Sequence, residues 1–168
     1  LWAHDGNEPA WVKNYQGDAK AWERLMKNHI TTVLKHFKGK VQSWDVVNEG
    51  IAQGGKYANS IWYRKLGPDY IIKAFKFAHE ADPNVKLFLN DYGQEYGGKK
   101  VQLILSIAEQ LKKQGINIGI GFQLHTVLRM EPWKITDNLK IFADKGYTIH
   151  ISEFDVSVRY QMPKIFPL

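Results

Sequence analysis

The sequence predicts an α/β fold in which a parallel sheet is covered by helices. Short runs that are apolar on both faces alternate with longer stretches whose apolar residues recur every three or four positions. Glycine and proline punctuate the joints. Each apolar run also ends in polar residues just before the chain turns toward a helix, which is how the carboxyl ends of parallel strands read.

The first long helix is predicted over 19–37, where Trp22, Leu25, Met26, His29, Ile30, Val33, Leu34 and Phe37 form one stripe. After the turn Lys38-Gly39-Lys40, residues 41–47 read as a strand. A second helix starts after Gly67-Pro68, turns Ile71, Ala74, Phe75 and Ala78 inward, and stops before Asp82-Pro83. Residues 85–92 form the next strand, and Gly97-Gly98 opens a helix carrying Val101, Ile104, Leu105, Ala108 and Leu111. Residues 115–126 supply a strand, 136–145 a short helix ending at Gly146, and 147–155 a further strand.

The composition fits one domain with a real core: 168 residues, 44% hydrophobic and 13% aromatic, which excludes a disordered tail or a fibrous repeat. No run approaches the roughly 18 apolar residues of a membrane span. Cysteine is absent, so neither disulfides nor thiol chemistry enter. The net charge of +6 comes from thinly spread basic residues, Lys99-Lys100 and Lys112-Lys113 being adjacent pairs, and no nucleic-acid partner is expected. LWAHDGNEPA at the start lacks the basic and apolar regions of a signal peptide.

Right-handed crossovers place all the strand exits on one rim. His4, Glu49, Asn90 with Asp91, Gln123 with His125, and Glu153 with Asp155 therefore gather there from distant parts of the chain. Two facing carboxyl groups can cleave an acetal: one protonates the leaving oxygen while the other attacks the anomeric carbon. A gap of roughly 5–5.5 Å retains configuration, and about 6.5–9.5 Å admits a water and inverts it. On this reading Glu153 is the nucleophile, oriented by His125 with Asp155 behind it, and Glu49 is the acid/base. Asn48 can hold a sugar hydroxyl. His4 and His125 stand on different strands with no short ligand spacing, so no metal is expected. His29 and His36 read as helix-packing or surface residues, and His79 and His150 as background without acidic neighbours. Trp44 lies inside a strand and reads first as core. Tyr92 and Trp133, near strand exits, have better access to a sugar face.

The run RLMKNHITTVLKHFKGKVQSWDVVNE, 24–49, resembles the central segment of glycoside hydrolase family 10, the retaining endo-β-1,4-xylanases. LFLNDY at 87–92, GIGFQLHT at 119–126 and IHISEFDVS at 149–157 resemble the next three signatures in the same order. The resemblance implies a (β/α)8 TIM barrel, cleavage of xylan or xylo-oligosaccharides without a cofactor, and secretion. It places the acid/base on Glu49, the nucleophile on Glu153 and its orienting pair on His125 and Asp155. Substrate contacts fall on His4, Trp44, Asn48, Asn90 and Gln123. The family's Trp-His-Ser-Gln is here Ala3-His4-Asp5-Gly6, with one extra residue before Pro9. The resemblance also implies that residues 1–168 are the central segment of a barrel, about five strand ends and four intervening helices. The first two strands and the last would then come from a companion segment.

Overall fold

The computed structural model describes residues 1–2 and 6–158, so that His4, expected on the rim, lies outside the described residues. In chain order the elements are α1 (Ala10–Lys13), α2 (Ala19–Phe37), β1 (Ser43–Asn48), β2 (Ile51–Ala52), β3 (Lys56–Tyr57), α3 (Ile61–Leu66) and α4 (Tyr70–Ala81). There follow β4 (Lys86–Asp91), a 3₁₀ turn at Gln94–Tyr96, α5 (Lys99–Lys113), β5 (Gly119–Phe122), β6 (His125–Val127), α6 (Pro132–Ala143), β7 (Thr148–Ile151) and β8 (Asp155–Ser157).

Four strands form a sheet in the order β1-β4-β5-β7, parallel throughout. Its register fixes the rim: Asn48 lies opposite Asn90, and Asn90 opposite Gly121. Trp2 extends the sheet beyond β1 through a parallel bridge to Asn48. The core lies between this sheet and the helices. Met26, Ile71, Ala74, Phe75, Ala78, Ile104, Ala108 and Leu111 are fully buried there, as their spacing predicts. Leu105 is only partly buried; Ile107 takes the inward place.

Helix ends follow local chemistry. Asp18 caps α2 by accepting the Ala21 amide at 2.8 Å. Two helices end alike: Gly115 after α5 and Gly146 beyond α6 adopt φ of 78° and 80°. The following amides, Ile116 and Tyr147, return to the Leu111 and Phe142 carbonyls at 3.0 and 3.1 Å. That shared turn delivers the chain into β5 and β7.

Several boundaries differ from expectation. The segment before Gly67 holds α3, too short for a periodic signal and capped by Ser60, whose hydroxyl accepts the Tyr63 amide at 3.1 Å. Helix α6 begins at Pro132 instead of 136, because proline is well suited to a first turn. The run 115–126 is two strands, broken where Leu124 takes φ 61°, and 147–155 is likewise interrupted at Ser152–Phe154. The broken pieces β6 and β8 pair in parallel as a separate ladder. Among the described residues no strand pairs with the outer edge of β7, where Ile151 is 44% exposed and Phe154 and Val156 are exposed beside it.

Candidate active site

Glu49 follows directly on β1, where the chain turns with φ 59° at a non-glycine residue. Its amide continues the ladder by donating to the Asn90 carbonyl at 2.9 Å. Its carboxylate accepts from Gln123 Nε2 at 2.9 Å on Oε1 and from Trp2 Nε1 at 3.2 Å on Oε2. Gln123 leaves β5 buried, and the same Nε2 lies 3.3 Å from Asn48 Oδ1. Asn90 Nδ2 donates to that Asn48 oxygen at 2.8 Å and reaches Glu153 Oε1 at 3.4 Å. A relay of three amide side chains thus runs from one glutamate to the other.

Glu153 stands beyond β7, held on its second oxygen by His125 Nε2 at 3.4 Å. The β6-β8 ladder sets His125 opposite Asp155, and Nδ1 lies 2.6 Å from Asp155 Oδ2. Asp155 accepts, so Nδ1 carries the proton. Nε2 faces a carboxylate favourably only when it too is protonated. This agrees with a histidine pKa raised above its ordinary value, first by the hydrogen bond to Asp155 and then, against some burial, by the charges of Asp155 and Glu153.

Tyr92 also belongs here: burial raises its phenol, and the charges of Asp91 and Glu49 raise it further. Trp133 is exposed in the first turn of α6 with the Lys134 ammonium over its ring, outside the polar cluster. Trp44 is a correction. Its ring packs 5.7 Å from Phe37 of α2 near the start of β1, where a large apolar side chain fills the gap between helix and sheet. It belongs to the core side of the strand and not to the rim.

Four participants escaped the sequence reading. Ser152 donates from Oγ to Asn90 Oδ1 at 2.9 Å and fixes which way that amide faces. Trp2 bonds Glu49, and the Tyr96 hydroxyl reaches the His125 carbonyl at 3.4 Å. Asp45, on the face of β1 opposite Trp44, has its carboxyl raised by burial, against the charge of His150 and with that of Glu153. His150, stacked on Phe88 at 4.5 Å, therefore does have an acidic neighbour. Adjacency to Glu153 was the available signal for Ser152. Nothing in the sequence pointed to the Asp45–His150 relationship across strands.

The rim is open. An apolar groove beside α1, lined by Trp11, Val12, Leu25, His29 and Trp62, shares only Trp2 with the polar cluster. Among the described residues no group of three or more histidines and acids is arranged to hold a metal ion.

The model of Glycosyl hydrolase family 10 matches residues 1–165. The chain belongs to glycosyl hydrolase family 10. It is 40% identical over 151 residues to Endo-1,4-beta-xylanase B of Thermotoga neapolitana, covering 88% of this chain and 43% of that protein. It is 43% identical over 140 residues to Exoglucanase XynX of Acetivibrio thermocellus, covering 79% of this chain and 13% of that one. Among solved structures, xylanase 10B from Thermotoga petrophila in complex with xylobiose superposes with a TM-score of 0.87 at 36% identity, over 96% of this chain and 50% of that one. TsXylA, an intracellular xylanase from Thermoanaerobacterium saccharolyticum in complex with xylotriose, gives a TM-score of 0.79 at 39% identity, over 85% and 46%. The chain thus spans half or less of each of these relatives. As a family 10 chain its parallel sheet and alternating helices are an incomplete (β/α)8 barrel, with the rim described above at the carboxyl ends of its strands.

Proposed function

We propose that this family 10 segment carries the catalytic floor of an endo-1,4-β-xylanase acting by double displacement. Glu49 protonates the departing glycosidic oxygen while Glu153 attacks the anomeric carbon and forms a glycosyl ester. Glu49 then takes a proton from water, which attacks the same carbon and releases Glu153. Asn48 holds the hydroxyl next to the reacting carbon, with its oxygen accepting from Asn90 and Gln123. Asn90 and Gln123 support the two carboxylates, and Tyr92 and Trp133 offer flat faces to flanking sugars.

The observation that carries this reading is the amide relay that joins the two glutamates across one rim, with a histidine on Glu153. Glu153 is held and aimed by a histidine with an aspartate behind it. Glu49 accepts hydrogen bonds from the neutral groups of Gln123 and Trp2. Xylobiose and xylotriose in the related structures support xylo-oligosaccharides as ligands.

Residues 1–168 form the central part of the barrel, and a companion segment bearing the remaining strands covers the exposed side of β7. Polymeric xylan favours an enzyme that works outside the cell. Reducing-end release from xylan, by the chain alone and with the remaining strands supplied, tests the activity. Binding of xylo-oligosaccharides without release under both conditions would reduce the segment to a sugar-binding piece.

A further inference from the structure

The strand end next to the polar relay holds a buried ion pair with no part in the mechanism above. Asp91 and Lys100 are both fully buried, and Lys100 Nζ lies 2.7 Å from Asp91 Oδ1. That oxygen also accepts the Tyr92 amide at 2.9 Å. The other oxygen, Oδ2, accepts the amide of Ile51 at 3.0 Å, two residues beyond Glu49.

Glu49 is therefore bracketed. Its own amide is tied to Asn90 on β4, and the turn that follows is tied to the neighbouring Asp91 side chain. Between these two anchors Glu49 keeps φ at 59°, a conformation that non-glycine residues leave unless their surroundings hold them. Burial pushes the Asp91 carboxyl up, and the opposing influences are the charge and hydrogen bond of Lys100 followed by the amides of Tyr92 and Ile51. Lys100 is the counter-charge that lets the clamp exist in the interior. Its ammonium also sits 4.1 Å from the centre of the Tyr92 ring.

We propose that Asp91 and Lys100 are positioning residues for the acid/base: their ion pair locks the turn after β1 through the Ile51 amide and so aims the Glu49 carboxyl. The inference rests on the reading of Glu49 as proton donor. Proton donation matters when the leaving group is a sugar alkoxide and little when it is a dinitrophenolate, which departs unprotonated. A misaimed Glu49 therefore slows formation of the glycosyl ester from xylan and spares it from the dinitrophenyl substrate, whereas general loss of structure slows it from both.

Single changes would strand a charge in the interior, so the test uses the apolar pair Asp91→Leu/Lys100→Met, which removes both charges and fills similar space. The variant is expected to unfold cooperatively like the native protein, with Ile51 amide exchange faster by about tenfold or more while α4 and α5 amides are unchanged. Its kcat/KM on xylan is expected to fall by roughly 100-fold or more, and its kcat/KM on dinitrophenyl xylobioside, which reports formation of the glycosyl ester alone, by less than about fivefold. Unchanged Ile51 exchange overturns the clamp. Equal losses of kcat/KM on the two substrates overturn its role in aiming Glu49. If the native protein hydrolyses neither substrate, the reading of the site fails instead, and the Ile51 exchange rate still decides whether the clamp exists.

Discussion

Asp155 Oδ2 lies 2.6 Å from Nδ1 of His125, and the register of β6 against β8 puts them there. Because the imidazole pKa is raised, the protonated form carries a stabilising contribution that is fully present below the ordinary value near 6.5. That contribution is lost as pH climbs through the higher native value. The ring is 42% exposed, so solvent screens the effect and the titration is the better observable. Asp155→Asn removes the first cause of the shift. The His125 pKa is expected to move down toward 6.5 by NMR titration; an unmoved value would show that Glu153 alone holds the ring.

The Glu153 side chain is 44% exposed, with His125 and Asn90 each 3.4 Å from one of its oxygens. Glu153→Ala should change stability by no more than about 0.5 kcal/mol. Release of reducing ends from xylan should nonetheless fall below detection. The same assignment fixes stereochemistry: with a glycosyl ester in between, the first product seen by proton NMR is the β-anomer. An α-anomer at early times would make Glu153 a base acting on water.

The tight approach of β5 to β4 allows a separate test of the amide relay. A Cβ at Gly121 would collide with the Asn90 Oδ1 and would stand 3.1 Å from its Cα. Gly121→Ala therefore turns Asn90 away from Ser152, Asn48 and Glu153 at once. Overpacking of this kind costs about 1–3 kcal/mol, readable in denaturant melts. Turnover should fall further than Asn90→Ala alone would explain if the backbone of β4 shifts as well; equal effects would confine the damage to the side chain.

Much of this architecture was legible because it rests on periodicity. The α2, α4 and α5 stripes predict their buried faces, and the strand exits predict the gathering of Glu49, Asn90, Gln123 and Glu153. What escaped depends on neighbours across strands. Leu124 and Glu49 take positive φ that only the assembled rim enforces. Trp44 faces α2 because strand alternation and a nearby Phe37 decide its side, which the family motif by itself does not reveal. Lys100 stands in the sequence only as half of an adjacent lysine pair; its burial follows from Asp91, nine residues earlier.

Glu95 is fully buried in the 3₁₀ turn, and neither carboxylate oxygen meets a donor in hydrogen-bond geometry. Burial raises its pKa, and the nearby amides of Glu95 and Gly93 and the charges of Lys100 and His125 offset this only in part. The native state thus favours the protonated acid. Its stabilising contribution is complete below the ordinary value near 4.5 and is lost as pH rises from there through the native value. Glu95→Gln keeps the shape and cannot ionise. Its melting temperature relative to native should therefore rise with pH across that window, by about 2–4 °C for each kcal/mol recovered. A difference that stays flat from pH 4 to 7 would mean that Glu95 ionises in the folded protein as readily as in the unfolded chain, with Lys100 supplying the missing partner.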